Sequence, residues 1–303
     1  MISLIISTRN RRADVERFLA HLDGQAYRDF ELVLVDQNLP PGVSELVGGR
    51  SFRLQYRATD ERGASRGRNV GIQMAQGDIF AIPDDDCWYP PHLLQEVATF
   101  FERRPEVDVL SGVECDPDGN VMVPPRPPLA GWCDAQPIAM FEHRSAWVPQ
   151  SSMIFFRRRV YEAIGLFPAW MGVGAGTVFG SGEETDYLLL AMRAGFKVWF
   201  EPSIRVFHPR LDTPERDAKK NYEYAIGKGA LMRRHDCGLF RFTVAVCRVL
   251  LGGVLLSAMR LERQRMMMYV RRAKGLLIGY FTLPPELRLS ASQRSPARLS
   301  PES

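Results

Sequence analysis

Three consecutive carboxylates, Asp84-Asp85-Asp86, follow the apolar run Ile79–Ile82. Adjacent anions repel one another unless a cation lies among them, and a hard divalent ion such as Mg2+ or Mn2+ takes oxygen ligands and bridges to phosphate. A solvated acidic turn is the plainer alternative. Three acids at a strand end favour the metal, because ligands of open α/β sheets sit outside the carboxyl ends of the strands. His208 closes the run Arg205–Phe207, where an imidazole suits an ion such as Mn2+, although a lone histidine there is more often structural. Asp36 ends another apolar run, Glu31–Val35. A carboxylate there can accept from a base or ribose hydroxyl; taken alone it reads equally well as a turn aspartate.

Glu183-Glu184-Thr185-Asp186 opens a helical stretch. Glu184 could deprotonate an attacking hydroxyl as a general base. The competing reading is a capping box, Ser181-Gly182-Glu183-Glu184, with first-turn acids favoured by the helix dipole; spacing alone favours the cap. Ser7-Thr8-Arg9-Asn10 could hold a nucleobase through hydroxyl and backbone NH groups, or cap a helix. Arg66 and Arg68 lie in Gly63-Ala64-Ser65-Arg66-Gly67-Arg68-Asn69, a loop whose small residues permit close backbone approach and whose arginines match phosphate.

The elements that must position these groups alternate. Strands are expected at Leu4–Ser7, Glu31–Val35 and Ile79–Ile82, with helices at Ala13–Leu22, Arg68–Ala75 and from Pro90-Pro91 to Phe101. That rhythm predicts an α/β fold, a mostly parallel sheet with helices on both faces. Beyond it come strands at Val107–Val113 and Met153–Phe156, a loop over 116–137, a helix at Arg159–Ile164, a helix at Glu183–Ala194, and separate strands at Lys197–Phe200 and Arg205–Phe207. Glycines 172, 174, 176, 180 and 182 crowd the segment 171–182. A long glycine-rich loop in a compact domain is usually functional or mobile, here a candidate lid over a ligand.

Charge divides the chain. Residues 205–303 hold 19 Lys+Arg against 8 Asp+Glu, and residues 1–204 hold 20 against 27, so +11 and −7 sum to the net +4. The rear part is helical and basic after Pro214. Its uncharged run Val249–Met259 is shorter than the ~20 apolar residues a bilayer span needs. Apolar residues beside Arg260, Arg263, Arg265, Arg271, Arg272 and Lys274 suit a helix in a membrane interface and equally a subdomain packed on the first domain. The arginines lack interleaved aromatics for base stacking, so no nucleic-acid partner is expected. Residues 284–303, rich in Ser, Pro and Arg, are expected to be disordered. Cys87, Cys115, Cys133, Cys237 and Cys247 form no Cys-x-x-Cys pair, which points to free thiols in a reducing compartment. The N-terminus lacks the pattern of a signal peptide.

Together these pieces resemble a family 2 glycosyltransferase of GT-A fold over roughly residues 1–210. The matching segments run in the family's order: Ile5-Ile6-Ser7-Thr8-Arg9-Asn10, Leu34-Val35-Asp36, Gly63 to Gly71, Asp84-Asp85-Asp86 with Pro90, Phe156-Arg157-Arg158 through Gly165-Leu166-Phe167, Gly182 to Asp186, and His208-Pro209. The resemblance implies a Rossmann-like domain over 1–212, followed by a basic helical region over 213–283. It implies that Thr8 and Asp36 hold the nucleoside, that Arg68, with Arg9 and Arg66, belongs to the donor pocket, and that Asp84 and Asp86, with Asp85 sharing the role, bind ribose and metal. His208 corresponds to a metal ligand, and Glu184 to the catalytic base of an inverting displacement. Glu183-Glu184 stands where Glu-Asp is usual, which leaves open which acid acts, and Gln37-Asn38 follows Asp36 where a second acid is common. The implied partners are a nucleotide diphosphate sugar, an acceptor that is a saccharide or lipid-linked, and a divalent metal, Mn2+ or Mg2+. The implied place is the cytoplasm, at the inner face of the plasma membrane where the basic helices bind lipid. A nucleotidyltransferase would carry a glycine-rich, lysine-containing loop where Thr8-Arg9-Asn10-Arg11 stands; a binding module without catalysis would bind the nucleotide and turn nothing over.

Overall fold

A computed structural model describes residues 1–122, 130–132, 151–209 and 214–290. Its eight strands form one sheet: β1 (Ile2–Thr8), β2 (Phe30–Asp36), β3 (Arg53–Ala58), β4 (Ile79–Ala81), β5 (Val109–Cys115), β6 (Gly131–Trp132), β7 (Ile154–Arg157) and β8 (Val198–Phe207). The order is β3-β2-β1-β4-β7-β5-β8-β6. Pairings β1–β2, β2–β3, β1–β4 and β5–β8 are parallel, whereas β7 runs antiparallel between β4 and β5. The mostly parallel α/β expectation is therefore met.

Helices cover both faces, so β1 and β2 are buried almost throughout, as parallel strands with two covered faces must be. On one face α1 (Arg12–Asp23) sends down Val15, Phe18, Leu19 and Leu22, and α3 (Leu93–Arg103) sends Leu93, Leu94, Val97 and Phe101, to meet Leu4, Ile6, Leu32 and Leu34. On the other, α2 (Ala64–Met74), α4 (Arg158–Ile164) and α5 (Glu183–Arg193) bury Ile72, Val160, Tyr187 and Leu188 against Ile5, Val33, Val35 and Phe80.

The structure departs from the sequence reading at several points. Edge strand β3 went unread because its Arg53 and Arg57 are exposed and its apolar positions only half-buried. The segment read as a loop at Gly63–Asn69 is the first turns of α2. Gly67 and Gly71 let that helix lie on β1: a Cβ there would stand 2.4 Å from Ser7 Cβ and 2.3 Å from Ile5 Cγ2. The two strands expected at 197–200 and 205–207 are one, β8, whose register slips opposite Ser111 and Val113. The expected loop over 116–137 contains β6, which pairs with β8; most of the remainder lies outside the described residues.

After β8 come α6 (Pro214–Arg234), α7 (Leu239–Met259) and α8 (Arg263–Thr282). Helix α7 runs unbroken through Arg248, with a π-helical stretch at Leu250–Leu255, and its 21 residues are long and apolar enough to cross a bilayer by length and composition. The shorter uncharged run that argued against a span is thus only part of the helix. One face of α7 is packed through Phe242 and Val246, which share a core with Ile226 and Leu231 of α6, Tyr280 of α8, Leu189 of α5 and loop residues Met171 and Phe179. Residues 284–290, expected to be disordered, instead form a short 3-10 turn at Pro285–Leu287 and bury Leu289; 291–303 lie outside the described residues. Helices α6 and α8 touch backbone to backbone because glycines line the contact: a Cβ at Gly229 would stand 2.3 Å from Leu276 O, and one at Gly279 1.9 Å from Ile226 O. Gly279→Val should therefore force the pair apart at an overpacking cost of about 1–3 kcal/mol. Calorimetry should show Tm lowered by roughly 2–4 °C per kcal/mol; an unchanged Tm contradicts the close approach.

Candidate active site

The carboxyl end of β4 runs through Pro83 into the three aspartates at the middle of the sheet, beside the end of β1. There they form the floor of a cleft of about 810 Å³. Ser7, Arg9, Asn10 and Gln37 line it, as do Gly180–Thr185 and residues of α6.

Five carboxylates meet in this cleft, held by three cationic side chains. Arg68 reaches up from α2 and donates to Asp84 Oδ1 at 3.1 Å and Glu183 Oε1 at 2.8 Å, which ties β4 to α5. Arg11, just before α1, donates to Asp85 at 3.1 Å and to Asp86 Oδ2. His208 Nε2 lies 3.0 Å from Asp86 Oδ1. One ligand atom from each of Asp84, Asp86 and His208 falls within 4.8 Å of the others. Two carboxylates and an imidazole in that spacing form a donor set that fits a divalent cation.

The partners give neighbouring acids different proton affinities. Burial would raise Asp86, but the His208 hydrogen bond and the charges of His208 and Arg11 hold it well below the usual range. Burial would lower His208, but Asp86 lifts its imidazole to about 9. Burial pushes Asp85 up to about 6, against the Thr8 hydroxyl and the Arg11 charge. Glu184 is pushed well above the usual carboxylate range by burial and then by the Glu183 charge. Its buried Oε2 has no hydrogen-bond partner among the described residues.

The capping box suggested by Ser181-Gly182-Glu183-Glu184 does not form. Gly182 sits left-handed at the N-cap with φ +99° and makes no side-chain cap. Ser181 Oγ donates instead to Glu223 O of α6 at 3.1 Å, and Glu183 turns to Arg68. The glycine-rich segment is pinned to α2: Ser65 Oγ donates to Met171 O at 2.6 Å and Ala64 N to Val173 O at 2.8 Å. Gly172 lies against Glu183, where a Cβ would come within 2.9 Å of the carboxyl carbon.

The structure gathers Arg9, Arg68, Asp84, Asp85, Asp86, Glu183, Glu184 and His208 around the cleft. Thr8 is buried beneath it, beside Asp85. Two expected donor contacts are not presented to it. Asp36 is fully buried and its carboxylate is spent inside the protein, accepting from the Asn38 backbone and side chain, from Gly42 N, Val43 N and Tyr56 OH. Arg66 folds back to Arg62 O and Ala175 O. The residue after Asp36, Gln37, faces the cleft, braced by Glu61 O and Gly63 O. Sequence reading gave no role to Arg11 or to Lys220, Tyr224 and Lys228 of α6. For α6, the steps of four between those residues were a readable signal of one face.

The model of the family described as "Glycosyl transferase family 2" matches residues 3–165, more than half of the chain, and the protein belongs to that family. A glycosyltransferase of Haemophilus influenzae is 28% identical over 36% of this chain and 37% of its own length. Glycosyltransferase AglE of Haloferax volcanii is 26% identical over 76% of this chain and 73% of its own, and a dolichol-phosphate mannosyltransferase of Pyrococcus furiosus 26% over 36% and 32%. The chain thus spans little more than a third of the first of these relatives. Among solved structures, the mannosyltransferase PcManGT of Pyrobaculum calidifontis, in complex with GDP-Man and Mn2+, shares the fold at TM-score 0.60 and 16% identity, covering 93% of this chain and 88% of that one. S. aureus TarS 1–349 in complex with UDP does so at 0.55 and 16%, covering 92% and 89%.

A metal ion bound by His208 must displace its proton. Since Asp86 holds that proton up to about 9, Mn2+ affinity should climb ~tenfold per pH unit between about pH 6 and about pH 8. In His208→Ala it should be weaker and nearly flat. Calorimetric titration of Mn2+ at several pH values reads this directly, and an equally steep rise without the histidine removes it from the ligand set.

Proposed function

We propose that this protein is an inverting glycosyltransferase that moves a sugar, a hexose, from a UDP- or GDP-sugar to a hydroxyl of a saccharide or lipid-linked acceptor in the synthesis of a cell-surface polysaccharide or glycan. The observation that carries the reading is Glu184, a buried carboxyl of raised proton affinity facing the same cleft as the Asp84, Asp86 and His208 donor set. Family membership and the GDP-Man and UDP complexes of its structural relatives support it.

The donor's nucleoside would lie toward Ser7, Arg9, Asn10 and Gln37, with its diphosphate over Asp84 and Asp86. A Mn2+ or Mg2+ held by Asp84, Asp86 and His208 would supply Lewis-acid stabilisation of the departing diphosphate. Arg68 fixes Asp84 and Glu183, so Glu183 serves to hold the arginine and leaves Glu184 as the base. The acceptor oxygen bonds to the anomeric carbon while the bond to the diphosphate oxygen breaks, its electron pair leaving with the diphosphate. The acceptor's proton passes to the Glu184 carboxylate. A single displacement places base and leaving group on opposite sides of the sugar and inverts the centre. The ordered glycine-rich segment screens that chemistry from water.

The acceptor's side of the reading rests on α7 and α8. Phe240 is 81% exposed, Leu251 63%, Met259 74% and Leu261 90%. Between residues 239 and 282 stand eight Lys+Arg and one acid, Glu262. An apolar face rimmed by cations suits the surface of an anionic membrane at the cytoplasmic leaflet, with α7 lying in the interface because its other face is packed.

Glu184→Gln should keep nucleotide diphosphate affinity and lose transfer by about 10²–10⁴-fold, the usual weight of a general base. The wild-type rate should rise with pH along a limb displaced above the ordinary carboxylate range, since the base works only when ionised. Full turnover by the glutamine variant removes Glu184 from the chemistry. For the membrane surface, vesicles rich in phosphatidylserine should float the protein while neutral vesicles do not, and Phe240→Ser with Leu251→Ser should weaken flotation at least ~tenfold, given ~1.5–3 kcal/mol per lost apolar side chain. Equal recovery with both vesicle types, or with both proteins, counts against lipid docking.

A further inference from the structure

One wall of the cleft comes from α6, outside the segment the family model matches. Lys220, Tyr224, Lys228 and Leu231 follow one another there at steps of four, four and three, so they share a face, and all four line the cleft. This wall belongs to the base's side. Gly227 abuts Ser181, where a Cβ would stand 2.3 Å from the Ser181 carbonyl oxygen, and Leu231 Cδ1 is 3.0 Å from the Cβ position of Gly182. Both contacts fall on the two residues that lead into Glu183 and Glu184. Tyr224, 55% exposed, stands between Lys220 and Lys228 along the helix, and desolvation of its phenol with the charges of Glu184 and Asp84 raises it to about 12.

Lys228 is half-buried and forms no ion pair among the described residues, and its charged neighbour on α8 is another cation, Arg272. Glu223 also lines the cleft, where it pairs with Lys219 at 3.8 Å. A cation withdrawn from water with no counter-charge is costly unless an anion completes the site. In a single displacement the diphosphate departs on the face of the sugar away from the base. An anion site beside the base is therefore on the acceptor's side.

We propose that the Lys220–Lys228 face of α6 receives a phosphate group carried by the acceptor, with Tyr224 and Leu231 bordering the chain to which that phosphate is attached. The proposal rests on the assignment of Glu184 as the base. It makes the acceptor a phosphate-bearing molecule, and it gives α6 the task of selecting it: Lys228 and Lys220 bind the phosphate by charge-assisted hydrogen bonds and so set the acceptor hydroxyl before Glu184.

The test uses the full chain saturated with Mn2+ and uridine or guanosine diphosphate, titrated calorimetrically with farnesyl phosphate, glycerol 1-phosphate and uncharged farnesol. Farnesyl phosphate should bind and farnesol should not. Lys228→Met, which keeps the length and removes the charge, should weaken the phosphate probe at least ~tenfold, as loss of a charge-assisted bond implies. Lys220→Met should weaken it less, and nucleoside diphosphate affinity should be the same in both variants. Binding of glycerol 1-phosphate as well upholds the site for phosphate esters at large; binding of farnesyl phosphate alone upholds it for a lipid source. Unchanged affinity of the phosphate probe in Lys228→Met, or loss of nucleoside diphosphate affinity instead, overturns the proposal, the latter by moving Lys228 to the donor. Failure of Glu184 as the base is seen separately, as transfer by Glu184→Gln with these binding results intact.

Discussion

Arg68 is the interaction on which the site depends. Asp84 and Glu183 are about a hundred residues apart in sequence, and both are anions aimed at the same small volume. Two like charges a few ångströms apart repel by several kcal/mol at the effective dielectric of a protein near its surface, so β4 and α5 cannot present them together without a shared cation. The guanidinium can serve both because its donors form a planar fork, one arm to each acid. Much of the surrounding backbone follows from bringing that fork to the floor. Helix α2 must lie directly on β1, which Gly67 and Gly71 allow. The segment 171–182 must lie on α2 and against Glu183, which requires a positive φ at Gly172 and Gly182.

Partnering rather than burial then differentiates the acids. Asp85 and Asp86 are adjacent and both buried, yet one is shifted up and the other down. Asp86 has His208 and Arg11 on its two oxygens, while Asp85 has Arg11 as its ion-pair partner. Glu183 and Glu184 also differ in their partners: Arg68 engages the first, and the second keeps a buried oxygen without a donor among the described residues. A site that is to bind a cation at one acid and take up a proton at another needs such asymmetry, because metal ligands must be deprotonated while a base must accept a proton.

What was legible in the sequence was what one element carries by itself. The apolar runs, the triple aspartate at a strand end and His208 closing β8 are local patterns, and the structure keeps them. What was not legible depended on where a side chain found its partner. Asp36 reads as a free acid at the end of β2, but Tyr56 comes from the unread edge strand and Gly42 and Val43 from the following turn to consume it. Arg66 and Arg68 are two residues apart in one glycine-rich stretch. On a helix that spacing turns them to different sides, one toward the acids and one toward Ala175 O. The capping box failed for the same reason: the box requires its serine at the N-cap, and here Gly182 takes that place while Ser181 is claimed by α6.

The C-terminal helices join two surfaces that the sequence kept apart. Helix α6 lines the cleft with one face and packs its glycines on α8 with another, and α8 continues the exposed cationic and apolar surface begun by α7. Asp186, one turn into α5, is completely buried and accepts from Arg234 Nε at 2.7 Å and pairs with His235 Nε2 at 2.8 Å at the end of α6. The carboxylate is held below its usual range, since those partners outweigh burial. The helix that begins with Glu183 and Glu184 is thereby bolted to the helix that lines the cleft beside them. Helices α7 and α8 are thus joined to the helix that carries Glu183 and Glu184 through the α6–α8 contact and this buried pair.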